Sequence, residues 1–155
     1  MKIINNYLYI VVLFMSLFIL NSCVSTNSEG GSQVQSTEST AELKNTYWKL
    51  LSIQGKPVVS IEGERDLFLQ LKFDASLKGF AGCNAIMGSY TVETTSLTFS
   101  KVASTRKFCA QGMDQEQAYL QALALVVMFY IKGERLSLFD QNDKLMFELE
   151  SVYLK

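Results

Sequence analysis

Leu67, Leu69, Leu71 and Phe73 alternate with Phe68, Gln70 and Lys72, the clearest period-two run in the chain. That spacing predicts a strand with one buried face. Upstream, Tyr47–Ile53 predicts a first strand, with Trp48, Leu50 and Ser52 on one side and Lys49, Leu51 and Ile53 on the other, ended by Gly55-Lys56-Pro57. Further strands are predicted at residues 77–83, 88–93 and 97–103, each bounded by small or polar residues. The period then changes. Asp114 stands as an N-cap with Gln117 three residues on, and Leu120, Leu123, Ala124 and Val127 recur at helical spacing. They predict a helix of about four turns reaching residue 128, its stripe widened by Leu125 and Val126. A hairpin around Gly133-Glu134 and a last strand at Leu145–Val152, after a turn at residues 140–144, complete the pattern. The fold class is α+β: a curled antiparallel β-sheet or open β-barrel of about seven to eight strands with one packed α-helix.

Ahead of these elements lies a different kind of sequence. Lys2 precedes an apolar run over residues 7–20 broken only by Ser16. As a helix the run would reach about 21 Å, short of a hydrocarbon core of about 30 Å, so residues 1–22 are expected to be a cleaved signal peptide and not a span. Leu20-Asn21-Ser22-Cys23 resembles a lipobox, which implies cleavage before Cys23 and lipidation of that cysteine. Val24 follows it, not aspartate, which by analogy with other lipoproteins favours the outer membrane. Residues 24–41 are Ser, Thr, Asn, Gln, Gly and Glu with little to bury, a leash spanning on the order of 25 Å. The expected organisation is therefore signal peptide 1–22, lipidated cysteine and linker 23–43, and one domain at 44–155.

Within the domain, residues 79–90 concentrate three glycines, an asparagine and a cysteine, a density that marks a corner in the sheet where β-carbons would be excluded. Gly79, Gly82-Cys83-Asn84, Gly88 and Tyr90, followed by Thr105-Arg106 and Cys109, resemble the signature of the META/HslJ domain family. Thr46-Tyr47-Trp48-Lys49-Leu50 with Gly55-Lys56-Pro57 is similar to that family's first strand and turn. Lys107 departs from the pattern, since similar proteins carry methionine there. The resemblance implies a small β-rich domain with a non-enzymatic envelope role in stress tolerance, binding or assembly support. It names no ligand.

The residue inventory narrows the chemistry further. The chain has no histidine, which removes Ser-His and Cys-His nucleophile pairs and histidine-containing zinc sites and leaves only enzymes built on carboxylates, lysine or bare thiols, with Cys83 or the Glu62–Asp66 carboxylates as the third reading; no enzyme, catalytic residue, metal or cofactor is expected. Without residues 1–22 the formal net charge is about −2, too small for an electrostatic role on nucleic acid. Lys78-Gly79-Phe80-Ala81 opens like an RNA-recognition strand, but the residues that follow do not continue the motif. Cys83 and Cys109 could form a redox pair, a metal pair or a structural disulfide, or stay as buried thiols. With Cys23 used for lipid, the even remainder in an oxidising compartment favours the disulfide. Glu62, Glu64 and Asp66 read as a solvated loop before a strand, and Asp140, Asn142 and Asp143 as a turn lacking the glycine and distal glutamate of a calcium loop. Asn84 is expected to bond backbone groups at the corner.

The expected partners are a membrane, through the anchor at Cys23, and an envelope protein or apolar ligand. The alternative is a lipoprotein that inhibits a cell-wall hydrolase such as lysozyme. An inhibitor needs a protruding loop, a carrier of apolar tails needs an apolar groove, and an enzyme needs polar groups converging in a cleft.

Overall fold

Leu67, Leu69 and Leu71 are all buried in the core, and the strand that carries the last two is one of nine among the described residues. A computed structural model of the chain describes residues 40–153. In chain order the strands are β1 (Tyr47–Ile53), β2 (Lys56–Pro57), β3 (Phe68–Leu71), β4 (Ser76–Phe80), β5 (Ala85–Glu93), β6 (Ser96–Ser104), β7 (Met128–Lys132), β8 (Arg135–Phe139) and β9 (Leu145–Val152); α1 (Met113–Leu123) lies between β6 and β7. The signal-peptide, lipobox and leash expectations, with Cys23, fall outside the described residues, except at the leash's last positions. No helix among the described residues is long and apolar enough to cross a membrane.

Every strand pairing is antiparallel. The order is β2-β1-β3-β4-β5-β6-β7-β8-β9, and β1 also pairs with β9, so the curled sheet closes on itself. Closure is weakest between β6 and β7, which share one register pair, Ser96 with Met128. Two backbone bonds extend that seam, Leu97 N–H to Val127 O and Phe129 N–H to Thr95 O, each 3.0 Å. The interior is filled by Trp48, Leu69, Leu71, Tyr119, Leu136, Met146, Phe147 and Leu149, each essentially without exposure. Burying a side chain of this size stabilises by about 1.5–3 kcal/mol.

Several local expectations are corrected by what surrounds them. β3 stops at Leu71, and Phe73 is 76% exposed, because Asp74 starts a turn: its Oδ1 accepts from the Ser76 amide at 3.0 Å and the Ser76 hydroxyl at 2.6 Å. In β1 the register shifts between Leu50 and Ser52, leaving Leu51 as an extra residue. The bulge changes the alternation, so Ser52 and Ile53 are both buried. The strand expected at 77–83 ends at Phe80, where the chain turns and Ala81 N–H bonds Asn84 O.

The helix is shorter than its pattern suggests. Its N-cap is Gly112, in the left-handed region at φ 87°, with no side-chain cap; Asp114 lies inside the first turn, where its charge suits the helix dipole. It ends at Leu123 because Val127 is taken by the sheet, its N–H bonding Phe139 O at 2.9 Å and its carbonyl accepting from Leu97. The β-branched pair Val126-Val127 suits that extended path. The buried stripe is Glu116, Tyr119, Ala122 and Leu123; Ala124, Leu125 and Val127 face solvent. Ordered structure also begins before residue 44. Ala41 is buried, its N–H bonds Gly133 O at 2.9 Å, and the Leu43 carbonyl receives the Trp48 indole N–H at 3.0 Å.

Candidate functional site: the glycine corner and its braced loop

After β4 the backbone must reverse within four residues, and Gly82 makes this possible at φ 115°, a conformation that other residues rarely adopt. The reversal brings Gly82 against the entry to α1; a β-carbon there would lie 3.4 Å from the Gly112 carbonyl. Cys83, next in sequence, is bonded to Cys109 with their Cα atoms 6.0 Å apart. Across a separation of 26 residues, such a bond stabilises by ~3.5 kcal/mol in the chain-entropy description.

Asn84 is the hub of the corner. It is buried, and its side-chain oxygen accepts from the Thr105 hydroxyl at 2.8 Å and the Lys107 amide at 2.7 Å. Its side-chain nitrogen donates to the Lys107 carbonyl at 3.2 Å and to both oxygens of Glu116, at 3.0 and 3.1 Å. The Asn84 backbone N–H adds a bond to Glu116 Oε2 at 2.8 Å. A buried carboxylate without donors would be costly, and Asn84 supplies them. Thr105 extends the network by accepting from Ala85 N–H at 3.2 Å. Residues 105–109 are thus held at both ends, by hydrogen bonds at Thr105 and Lys107 and by the disulfide at Cys109.

The other motif positions serve packing. At Gly79 a β-carbon would sit 2.9 Å from the Phe68 carbonyl and 3.1 Å from the Tyr119 hydroxyl. That hydroxyl donates to Phe68 O at 3.2 Å, and complete burial pushes the phenol well above its ordinary range. Gly88 faces an irregularity in β6, where Lys101 adopts φ 52° and two residues oppose one. A β-carbon at Gly88 would lie 3.2 Å from Val102 Cα, so this glycine is needed for close approach and not for a positive φ. Tyr90 is buried and donates to Lys72 O at 2.6 Å; burial first, and then Asp74, raise its pKa. Trp48 is fully buried in the core.

Beside the corner is an open depression of about 670 Å³, walled by Ile61, Glu62, Glu64, Gly82, Lys107, Phe108, Cys109, Ala110 and Gln111. Phe108 stands at its edge with 89% of its surface exposed. Glu62 and Glu64 reach this rim, whereas Asp66 pairs with Lys49 at 3.0 Å, so the three acids do not converge. Gln115 ties the helix to the loop before Ile61: its amide both accepts from Val59 N–H at 2.8 Å and donates to Val59 O at 3.0 Å. Among the described residues, no group of three or more acidic, cysteine or histidine side chains is placed to hold a metal. Asp140 closes its own turn, accepting from the amides of Asn142 and Lys144 at 2.8 and 2.9 Å.

Residues 41–152 match the META domain, a span that includes the corner, the disulfide and every strand. The chain belongs to the META domain family. The META fold recurs in solved structures: a protein from Burkholderia xenovorans, determined by NMR, is 24% identical over 72% of this chain and 85% of its own, with a TM-score of 0.59. A DUF4847 family protein from Bacteroides vulgatus is 10% identical over 73% of this chain and 96% of its own, with a TM-score of 0.54. Likeness at this level is one of fold. No curated protein matches the chain.

In this META domain the sequence motif identified the corner but not its carboxylate. Glu116 sits three and seven residues before Tyr119 and Leu123, so helical spacing placed it on the buried face; its charge argued the other way. Lys107, where the family pattern differs, has an exposed side chain and joins the network only through its backbone. Phe108 carries no sequence signal beyond being aromatic next to a cysteine.

Proposed function

We propose that this META domain protein is a non-enzymatic binding module of the cell envelope, held at the outer membrane by lipid on Cys23, and that it docks a partner protein through residues 105–112. The observation that carries the docking reading is Phe108, 89% exposed on a segment fixed by a disulfide and by Asn84. A large aromatic presented on a rigid support is what protein interfaces use as an anchor, because little ordering entropy is lost on binding. Arg106 and Lys107 precede it with exposed charges that suit the rim of an interface. The lipid anchor rests on the sequence of residues 7–23 and on the polar leash after them.

The same exposed segment supports the second reading, inhibition of a cell-wall hydrolase such as lysozyme, in which Phe108 and its neighbours would enter the active-site cleft. An apolar-tail carrier is less well served. The depression beside Phe108 is open and carries Glu62, Glu64 and Lys107, and the sheet's interior is filled by its own side chains.

Fatty-acid labelling and affinity purification of the full chain from its own envelope test both parts. Label should be incorporated in the wild type and lost in Cys23→Ser, and Phe108→Ser should abolish co-purification of a defined partner without lowering the melting temperature. Persistent label in Cys23→Ser overturns the anchor; an unchanged partner profile in Phe108→Ser overturns the docking loop. Slowed turnover of lysozyme by the wild-type domain, relieved in Phe108→Ser, would select the inhibitor reading.

A further inference from the structure

On the outer face of the sheet, strand register lines up an aromatic row. Phe80 of β4 lies opposite Phe68 of β3, and the Phe68 ring stacks on Tyr47 of β1 with centroids 4.4 Å apart and planes 20° from parallel. The Arg65 guanidinium closes one end, 4.4 Å from the Phe80 centroid and 5.9 Å from that of Phe68. The other end is open. There Tyr47 lines a shallow depression of about 300 Å³ whose remaining walls are Asn45, Thr46, Gln70, Val152 and Tyr153, the last 63% exposed.

Four of the six lining residues, Tyr47, Asn45, Thr46 and Gln70, are tied to their neighbours before any ligand arrives. Phe68 supports one face of Tyr47, so the ring cannot swing outward without losing its stack. Asn45 Oδ1 accepts from Lys72 Nζ at 2.7 Å, Gln70 Nε2 donates to the Asn45 carbonyl at 3.3 Å, and the Thr46 hydroxyl donates to the Glu42 carbonyl. All six lining residues are uncharged, and the nearby Lys72 ammonium is turned to Asn45 Oδ1, so no lining side chain offers a counter-charge to a phosphate, a carboxylate or a cation. A purely apolar ligand would strip water from two amides and two phenols without replacing it. What matches phenol rings interleaved with neutral amides and a hydroxyl is a ligand with apolar C–H faces and many neutral hydroxyls.

The geometry points to this depression as a binding site for an uncharged oligosaccharide, with Tyr47 and Tyr153 as stacking plates and Gln70 as the hydrogen-bonding amide. It shares no residue with the segment 105–112 and stands independently of the docking reading.

The test titrates the full chain with cellohexaose, chitohexaose and maltohexaose, followed by calorimetry and by amide shifts. At least one should bind saturably with a dissociation constant tighter than about 1 mM. Tyr153→Ala and Gln70→Ala should each weaken it about ten-fold with the melting temperature unchanged, while Tyr47→Phe, which keeps the plate, should stay within about three-fold. Because Tyr47→Ala disturbs the Phe68 stack and could unfold the domain, the variants at Tyr153 and Gln70 are the decisive ones. Absence of saturable binding to all three sugars overturns the site, as does binding indifferent to Tyr153→Ala and Gln70→Ala. Self-association of the wild type that Tyr153→Ala abolishes would instead assign this face to a second copy of the chain.

Discussion

Asn84 and Glu116, 32 residues apart, meet in the interior through three hydrogen bonds, two from the side-chain amide and one from the backbone N–H. The pair joins the sheet corner to the first turn of the helix, and through the other edge of Asn84 it fixes Lys107 and Thr105. The two residues should therefore behave as one unit. Asn84→Ala leaves a buried carboxylate short of donors and is expected to cost about 3 kcal/mol or more in urea unfolding. Adding Glu116→Ala should recover part of that loss, with a coupling energy above about 1 kcal/mol. Additive single-mutant losses would show that the contact does not couple corner to helix.

Gly82 and Gly88 should both resist alanine, for different reasons. Gly82→Ala meets a positive φ and is expected to cost about 1–3 kcal/mol. Gly88→Ala presses on the Ser100 carbonyl and on Val102 and should cost about 1–3 kcal/mol, of which Val102→Ala in the same chain, by removing Cγ2 alone, returns only a part, while doing nothing for Gly82→Ala. Equal relief at both sites, measured by thermal melting, contradicts this assignment.

Reduction of the Cys83–Cys109 bond should lower stability by about 2–5 kcal/mol and leave the domain folded, since Asn84 continues to hold Lys107. Mass spectrometry of the non-reduced chain under alkylating conditions should find both thiols protected. Melting indifferent to reductant, or complete unfolding on reduction, goes against it.

Alkaline pH should destabilise the domain through its buried phenols. Tyr119, by burial, and Tyr90, by burial and then by Asp74, hold their protons more tightly in the folded state than at the ordinary value of 10.0. Above pH ~10 the unfolded chain has lost protons that the folded chain retains, so the contribution of these two phenols to stability is constant below that point and falls as pH rises through it. Tyr119→Phe should make the fall shallower while lowering stability at neutral pH by about 1 kcal/mol, the loss of its bond to Phe68. An unchanged slope above pH 10 would mean that Tyr119 ionises as easily folded as unfolded.

Much of the sheet was legible because its signals are local. The expected Leu145–Val152 strand coincides with β9, and the alternating leucines mark the inside of β3. Phe73 fitted the same alternation, yet the turn set by Asp74 and Ser76 ends the strand first; period alone does not see a competing side-chain bond. Val127 fitted the helical stripe, but the sheet offered it two backbone bonds that a longer helix would have forfeited. At the corner, Gly82 and the cysteine pair could be read because they state backbone and covalent constraints. Glu116 could not, since what makes a carboxylate tolerable inside is a partner 32 residues away. The exposure of Phe108 likewise belongs to the assembled surface.

The claim that the braced segment 105–112 is a docking surface is tested most directly by placing a photo-crosslinking phenylalanine analogue at position 108 of the full-length chain in its native envelope. The account predicts one discrete adduct to a single envelope protein from position 108, absent when the analogue replaces Tyr130, which is also exposed but carried by β7. No adduct at 108, or the same adducts from both positions, would contradict it.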